Sequence, residues 1–103
     1  MRPVRFVRAA RRDLENIYRY IAADSTDERA QAYIDRIVDW CESLNKFPER
    51  GADYSDTRPG MRVAGFERRV SIAFAVKPSE VAILRVLYGG QDVERAIGRL
   101  RKF

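Results

Sequence analysis

Arginine is the residue through which this chain could do most of its chemistry. Arg58, Arg62, Arg68, Arg69 and Arg85 lie along one stretch that closes at Tyr88, and 17 of the 20 basic residues are arginine. A guanidinium is a planar, permanently charged fork that matches a carboxylate or a phosphate with two parallel hydrogen bonds. The pattern points to recognition of anions. Proton transfer is harder to supply. The chain has no histidine, and arginine stays protonated at any working pH. Lys46, Lys77 and Lys102 fall in a helix, a turn and the terminus. Glu67 stands among arginines that favour its ionised form, and Tyr88 would have to ionise from about 10. Cys41 has no histidine to activate it, and its place on an apolar helix stripe reads as a buried, inert thiol. No catalytic residue, metal-ligand set or cofactor is expected. Arg85 is the sharpest member of the group. Its strand is otherwise apolar on both faces, so it needs a partner, because an unpaired buried charge is costly.

The charge is placed unevenly. Residues 1–56 hold 10 basic and 11 acidic side chains, whereas residues 57–103 hold 10 and 4. The net charge of +5 thus arises in the C-terminal half, where it suits an acidic protein, a nucleic acid or a nucleic-acid enzyme. With 103 residues, 46% hydrophobic and 34% charged, the chain is expected to form one domain over 1–103 with one modest core. No apolar run approaches the roughly 18 residues of a membrane span. Charges run through the first residues, unlike a leader peptide, and one cysteine makes no internal disulfide. A cytoplasmic location without a membrane partner is the expectation.

Periodicity marks out the elements that must position these side chains. Val4 to Phe6 reads as a short strand. From Ala9 on, Ala10, Leu14, Ile17, Tyr18 and Ile21 share one face of an amphipathic helix, with Arg12, Asp13, Glu15 and Arg19 on the rest. Ser25-Thr26-Asp27-Glu28 fits a capping box with Ser25 as N-cap. The helix it opens carries Ala30, Ile34, Ile37, Val38, Cys41 and Leu44 on its stripe, and Pro48 ends it. Tyr33, Trp40 and Phe47 recur every seven residues along one edge, either a packing seam or a ridge open to a partner.

Glu49 to Pro59 is loop, and three strands follow at about 61–66, 68–76 and 81–88. In the middle one Val70, Ile72, Phe74 and Val76 alternate with Arg69, Ser71, Ala73 and Ala75, the period of a strand with one buried face. Asp92 caps a last helix that runs into the basic segment 99–103. The class is α+β in the order β-α-α-β-β-β-α, a helical hairpin on one face of a small, mainly antiparallel sheet. Leu14, Ile17, Ile21, Ile34, Ile37, Val38 and Leu44 should pack on Val70, Ile72, Phe74, Leu84 and Val86.

Three groups of residues stand in order along the chain. Helix one carries Ala10, Asp13-Leu14, Ile17 and Tyr20-Ile21; the loop carries Pro48, Gly51 and Pro59-Gly60-Met61-Arg62; the last strand carries Ile83 to Leu87, then Tyr88-Gly89. In this order and spacing nearly the whole chain resembles the ParE/RelE superfamily of bacterial toxin–antitoxin modules, and the ParE branch more closely. It departs at Arg69, where the family often has an aromatic, and at Tyr88, where histidine is common. It departs again at Gly90-Gln91, where an arginine usually follows the glycine.

The two branches of that superfamily imply different activities. RelE-like members enter the ribosome and cut mRNA, with basic residues and tyrosine around the scissile phosphate. ParE-like members poison DNA gyrase without nuclease chemistry. The missing base sides with the second branch. The resemblance therefore implies the toxin of a type II toxin–antitoxin system, a non-enzymatic inhibitor of DNA gyrase neutralised by a ParD-like antitoxin. The alternatives are a RelE-like ribosome-dependent mRNA endonuclease and a toxin fold without toxic activity. DNA would be met only indirectly, through the antitoxin. The antitoxin should lay an amphipathic helix in a groove that includes Tyr18 and Trp40. Its acidic tail should run over Arg62, Arg68, Arg69 and Arg85, with Arg58 at the rim and Tyr88 alongside.

Overall fold

Strand β1 (Val4–Phe6) leads at once into helix α1 (Arg8–Asp24), and α2 (Asp27–Glu42) returns beside it, continuing as a 3-10 turn at Ser43–Asn45. Then come β2 (Ala52–Asp53), β3 (Met61–Phe66), β4 (Val70–Val76), β5 (Val81–Tyr88) and the short α3 (Val93–Gly98). This computed structural model describes residues 2–89 and 92–101; the Gly90-Gln91 step and the terminal Lys102 and Phe103 lie outside them. The five strands form one sheet in the order β1-β5-β4-β3-β2. Among the described strand pairs only β1–β5 is parallel. The α+β class and the order of its main elements are as the periodicity predicts, with the two-residue β2 added inside the expected loop.

The helical hairpin buries its stripe on one face of the sheet. Ala10, Ile17, Ile37, Cys41 and Leu44 pack with Val70, Ile72, Phe74, Val81, Ile83 and Val86, and Leu14, Ile21 and Ile34 close over them half-buried. The other face is covered too, which the alternation of β4 does not reveal. Ala73 and Ala75 are fully buried there with Met61, Ala82 and Ile97, under Tyr54, Val93 and Leu100. Alanine on that face signals close packing against a covering layer, not exposure.

The alternation of faces shifts phase within β5. Ala73 pairs with Arg85 but Phe74 pairs with Ile83, so Leu84 is an extra residue, a β-bulge. Leu84 stays with Ala82 on the second face, beside Met61 and Ile97 and against the expected packing, and the bulge brings Val86 back to the first face with Val81 and Ile83. Val38 is half-buried and belongs to neither cluster.

Helix ends differ from the expected ones in small ways. The N-cap of α2 is Thr26, whose Oγ1 accepts from Arg29 N at 3.1 Å; Ser25 closes α1 instead, because the turn between the helices is so short. The second helix ends at Glu42, well before Pro48. Ser43 O collects the N–H groups of Lys46 and Phe47, a tightened turn that keeps Leu44 inside. Asp92 caps α3 as predicted, its Oδ1 accepting from Arg95 N at 3.1 Å, but that helix stops at Gly98, short of the basic terminus.

Two glycines let the loop return onto the sheet. Gly51 and Gly60 have φ of 78° and 75°, and a Cβ would stand 2.3 Å from Val63 O and 2.4 Å from Val76 O respectively. Any side chain there would drive backbone from backbone.

Candidate functional site

The arginines expected to gather on one face divide into inward and outward groups. Arg85 faces inward. Its Nε and Nη2 donate to Asp13 Oδ2 and Oδ1 at 2.7 and 2.9 Å, and Val86 N donates to the same Oδ2 at 2.8 Å. Asp13 is only 6% exposed. The hydrogen bonds that Arg85 donates to Asp13 hold its guanidinium above its ordinary value, against the opposing effect of burial. Strand β1 covers β5 only from Val81 to Ile83, so the carboxylate caps a backbone N–H of β5 beyond the point where its neighbour stops. The expected polar-face position of Asp13 is corrected accordingly. It shares a face with Ala10 and Ile17, three and four residues away.

Arg62 is also turned to structural use. Its Nε and Nη2 donate to Arg50 O and Gly51 O at 2.9 and 3.0 Å, pinning the loop against β3. Arg58 sits half-buried in that loop.

Arg68 and Arg69 face outward at the β3–β4 hairpin tip. Glu67 and Arg68 have φ of 48° and 64°, a left-handed conformation that non-glycine residues seldom adopt. Arg69 N closes the turn on Phe66 O at 3.2 Å, and Arg69 O accepts from Gly89 N at 2.8 Å. Glu67 is bound by both prongs of Arg36 from α2, at 3.0 and 3.1 Å. That hydrogen bond holds the Glu67 carboxyl below the ordinary glutamate value. The direction is the one expected for Glu67, but its main partner is Arg36 on α2 and not its own strand neighbours.

The remaining aromatics also separate. Tyr18 lines a groove of about 280 Å³ with Leu14, Glu15, Arg19 and Ile34 on the outer side of the helical hairpin. Trp40 is not in that groove. It stands edge-on to Phe66 and Phe74, with Arg50 Cζ 5.4 Å from its ring. Tyr33 packs on Phe66 and Tyr88, so the seam is structural at its first two positions, while Phe47 is 60% exposed.

Tyr88 instead forms the floor of a second concavity, about 470 Å³, with Tyr20, Tyr33, Arg29, Arg36, Arg69 and Asp24 around it. Tyr20, Arg29 and Arg36 had no signal in a helix pattern read only for its apolar stripe. Burial pushes the Tyr33 hydroxyl above its ordinary value, with Tyr88 and Glu67 acting the same way. The Cys41 thiol is pushed up to about 12 by burial, as an inert core cysteine would be. Among the described residues no three His, Cys, Asp or Glu side chains are grouped to hold a metal ion. None of their helices is long and apolar enough to cross a membrane.

This arrangement can bind anions at several points and hold partners by apolar contact. The same architecture occurs in known proteins. The family model described as the ParE toxin of the type II toxin–antitoxin system parDE matches residues 4–93. Toxin ParE3 of Caulobacter vibrioides is 29% identical over 87 residues, 84% of this chain and 86% of that protein. A solved structure titled as the chromosomal ParDE TA system from P. aeruginosa superposes with a TM-score of 0.74 at 30% identity. The match covers 86% of this chain and 97% of that one.

Proposed function

The chain belongs to the ParE toxins of type II toxin–antitoxin systems, and we propose that it poisons DNA gyrase by binding, without nuclease chemistry. The observation that carries this reading is the lack of a free proton acceptor beside the arginines: the chain has no histidine, and Glu67 is bound by both prongs of Arg36 at 3.0 and 3.1 Å. Cutting RNA needs a base for the 2′-hydroxyl, charge on the phosphorane and an acid for the leaving oxygen. Glu67 is held acidic by Arg36 and Tyr33 is pushed alkaline by burial, so neither is suited to exchange a proton near neutrality.

A ParD-like antitoxin neutralises the toxin. Its amphipathic helix occupies the Leu14–Tyr18–Ile34 groove, and its acidic tail reaches the exposed guanidiniums at the hairpin tip, Arg68 foremost. Exposed charges of this kind act mostly on association rate and its salt dependence. Purified protein added to gyrase with plasmid DNA should inhibit supercoiling, and expression without antitoxin should cause filamentation and DNA damage. The parallel assay adds the protein to translating ribosomes. Site-specific mRNA cleavage with gyrase unaffected would overturn the reading in favour of a RelE-like endonuclease.

A further inference from the structure

The cleft lined by Tyr20, Tyr33 and Tyr88 meets the reading above only at its edge, where Arg69 belongs to the hairpin tip. Its three rings are joined edge to face, Tyr20 to Tyr88 at 5.6 Å between centroids and Tyr33 to Tyr88 at 6.1 Å. Tyr20 is 65% exposed, so ring surface is presented to whatever enters. Tyr33 Oη is buried with no hydrogen-bond partner among the described residues, an uncommon state for a polar atom in a folded protein.

Two guanidiniums stand at the rim from different elements, Arg29 from the first turn of α2 and Arg69 from the hairpin tip. Arg69 has no side-chain hydrogen bond or ion pair among the described residues, and its backbone is fastened beside Tyr88 by the Gly89 N–H. Arg29 makes only a long contact, 3.5 Å, to Ser25 Oγ. The third arginine, Arg36, is spent on Glu67 and on the face of Tyr33, 5.1 Å from the ring centroid. Among the described residues Asp24 is the one acid lining the cleft.

This molecule itself indicates what a carboxylate requires. Asp13 and Glu67 are each matched by a single bidentate arginine, Arg85 and Arg36, while Glu80 takes a bidentate Arg5 with Lys77 at 3.7 Å. Two uncommitted guanidiniums above tyrosine rings, around about 470 Å³, offer more charge and far more room than an acidic side chain fills. A phosphate joined to a planar ring system uses both features, because arginine forks match phosphate oxygens and bases stack on aromatic side chains. We propose that this cleft binds a nucleoside phosphate, with the phosphate between Arg29 and Arg69 and the base against the tyrosines.

Calorimetric titration of the full chain with adenosine 5′-monophosphate tests the assignment, with adenosine, inorganic phosphate and a glutamate-rich peptide as parallel titrants. Saturable one-to-one binding of the nucleotide is expected, with adenosine and phosphate each weaker by about tenfold or more, since each keeps half of the contacts. Arg69→Ala and Tyr20→Ala should each weaken nucleotide binding by about tenfold at unchanged melting temperature. Lys46→Ala, which removes a charge elsewhere, should leave it alone. The assignment is overturned by no saturable binding, by phosphate binding as tightly as the nucleotide, by the peptide displacing the nucleotide at lower concentration, or by Lys46→Ala matching Arg69→Ala.

Discussion

Two arginine–carboxylate forks of nearly the same geometry hold different regions of this molecule. Arg85 and Asp13 meet inside, between β5 and α1, with side chains 23% and 8% exposed; Arg36 and Glu67 meet outside, between α2 and the hairpin tip, at 52% and 44%. Hydrogen-bond geometry alone does not rank them. What separates them is the cost of removing one partner. In the first region a charge and the Val86 N–H would be stranded away from water, whereas in the second water replaces the lost partner at once. The inner fork sets the position of α1 on the sheet. The outer one orients a turn that already carries two unfavourable backbone conformations.

The largest effect should come from breaking the inner fork. Asp13→Ala should lower stability by about 3–5 kcal/mol in denaturant unfolding, because it leaves Arg85 unpaired. Asp13→Asn keeps an acceptor for Val86 N and should cost less. Replacing both partners with apolar residues should recover part of the loss; no recovery would mean that the pair itself, not the stranded charge, carries the effect. Next in size is Ile37→Ala, in the core beneath the same helices, at about 2–5 kcal/mol. A variant that melts like the parent would place the helix stripe on the wrong face.

Native-state labelling of Cys41 gives an independent readout of both changes. With its thiol pushed up to about 12, alkylation at pH 8 should be slow in the parent and accelerate in Asp13→Ala and Ile37→Ala as opening becomes more frequent. Equal labelling rates in all three proteins would show that Cys41 is reached without opening the core.

The smallest effect belongs to the outer fork. Arg36→Ala should leave the melting temperature nearly unchanged, and a large drop would make the two regions alike after all. Its pH signature has a defined sign. The Glu67 carboxyl is held by Arg36 below the ordinary 4.5, so the folded state binds its proton less readily than the unfolded chain. The contribution is complete above about pH 4.5 and fades as pH falls through the lowered folded value. Comparing acid melts of the parent and Arg36→Ala between neutral pH and pH 3 should show a small difference that closes at the acid end.

The same contrast explains what was legible in the sequence. Apolar periodicity reports burial of carbon, so the helical hairpin, the three long strands and most of their core positions could be read directly. Asp13 could not be found by that rule, since a charged residue on an apolar face looks like a break in the stripe. Its complement was visible: Arg85 in an apolar strand required a partner. The spacing of Asp13 from Ala10 and Ile17 would have named a candidate. The bulge at Leu84 left no mark, because leucine suits either face, and Ala73 and Ala75 were too small to announce a covered surface. At the candidate site, Arg69 and Tyr88 were named from the strands as a surface for an antitoxin or target, but Tyr20, Arg29 and Arg36 come from helical positions outside the apolar stripe. Only the tertiary fold brings them together.

The parallel pairing of β1 with β5 has a consequence for the order of events during synthesis. Among the described residues the first strand pairs with the last one alone, and Asp13 waits 72 residues for Arg85. Chains leave the ribosome N-terminus first, so α1 and α2 emerge with their apolar stripes exposed before any of the long strands that cover them exists. Until β5 is complete, the nascent chain offers an uncovered helical hairpin and an unpaired first strand. Closure of the fold is therefore a late, long-range event, and the interval before it is when the chain is most open to aggregation or to capture.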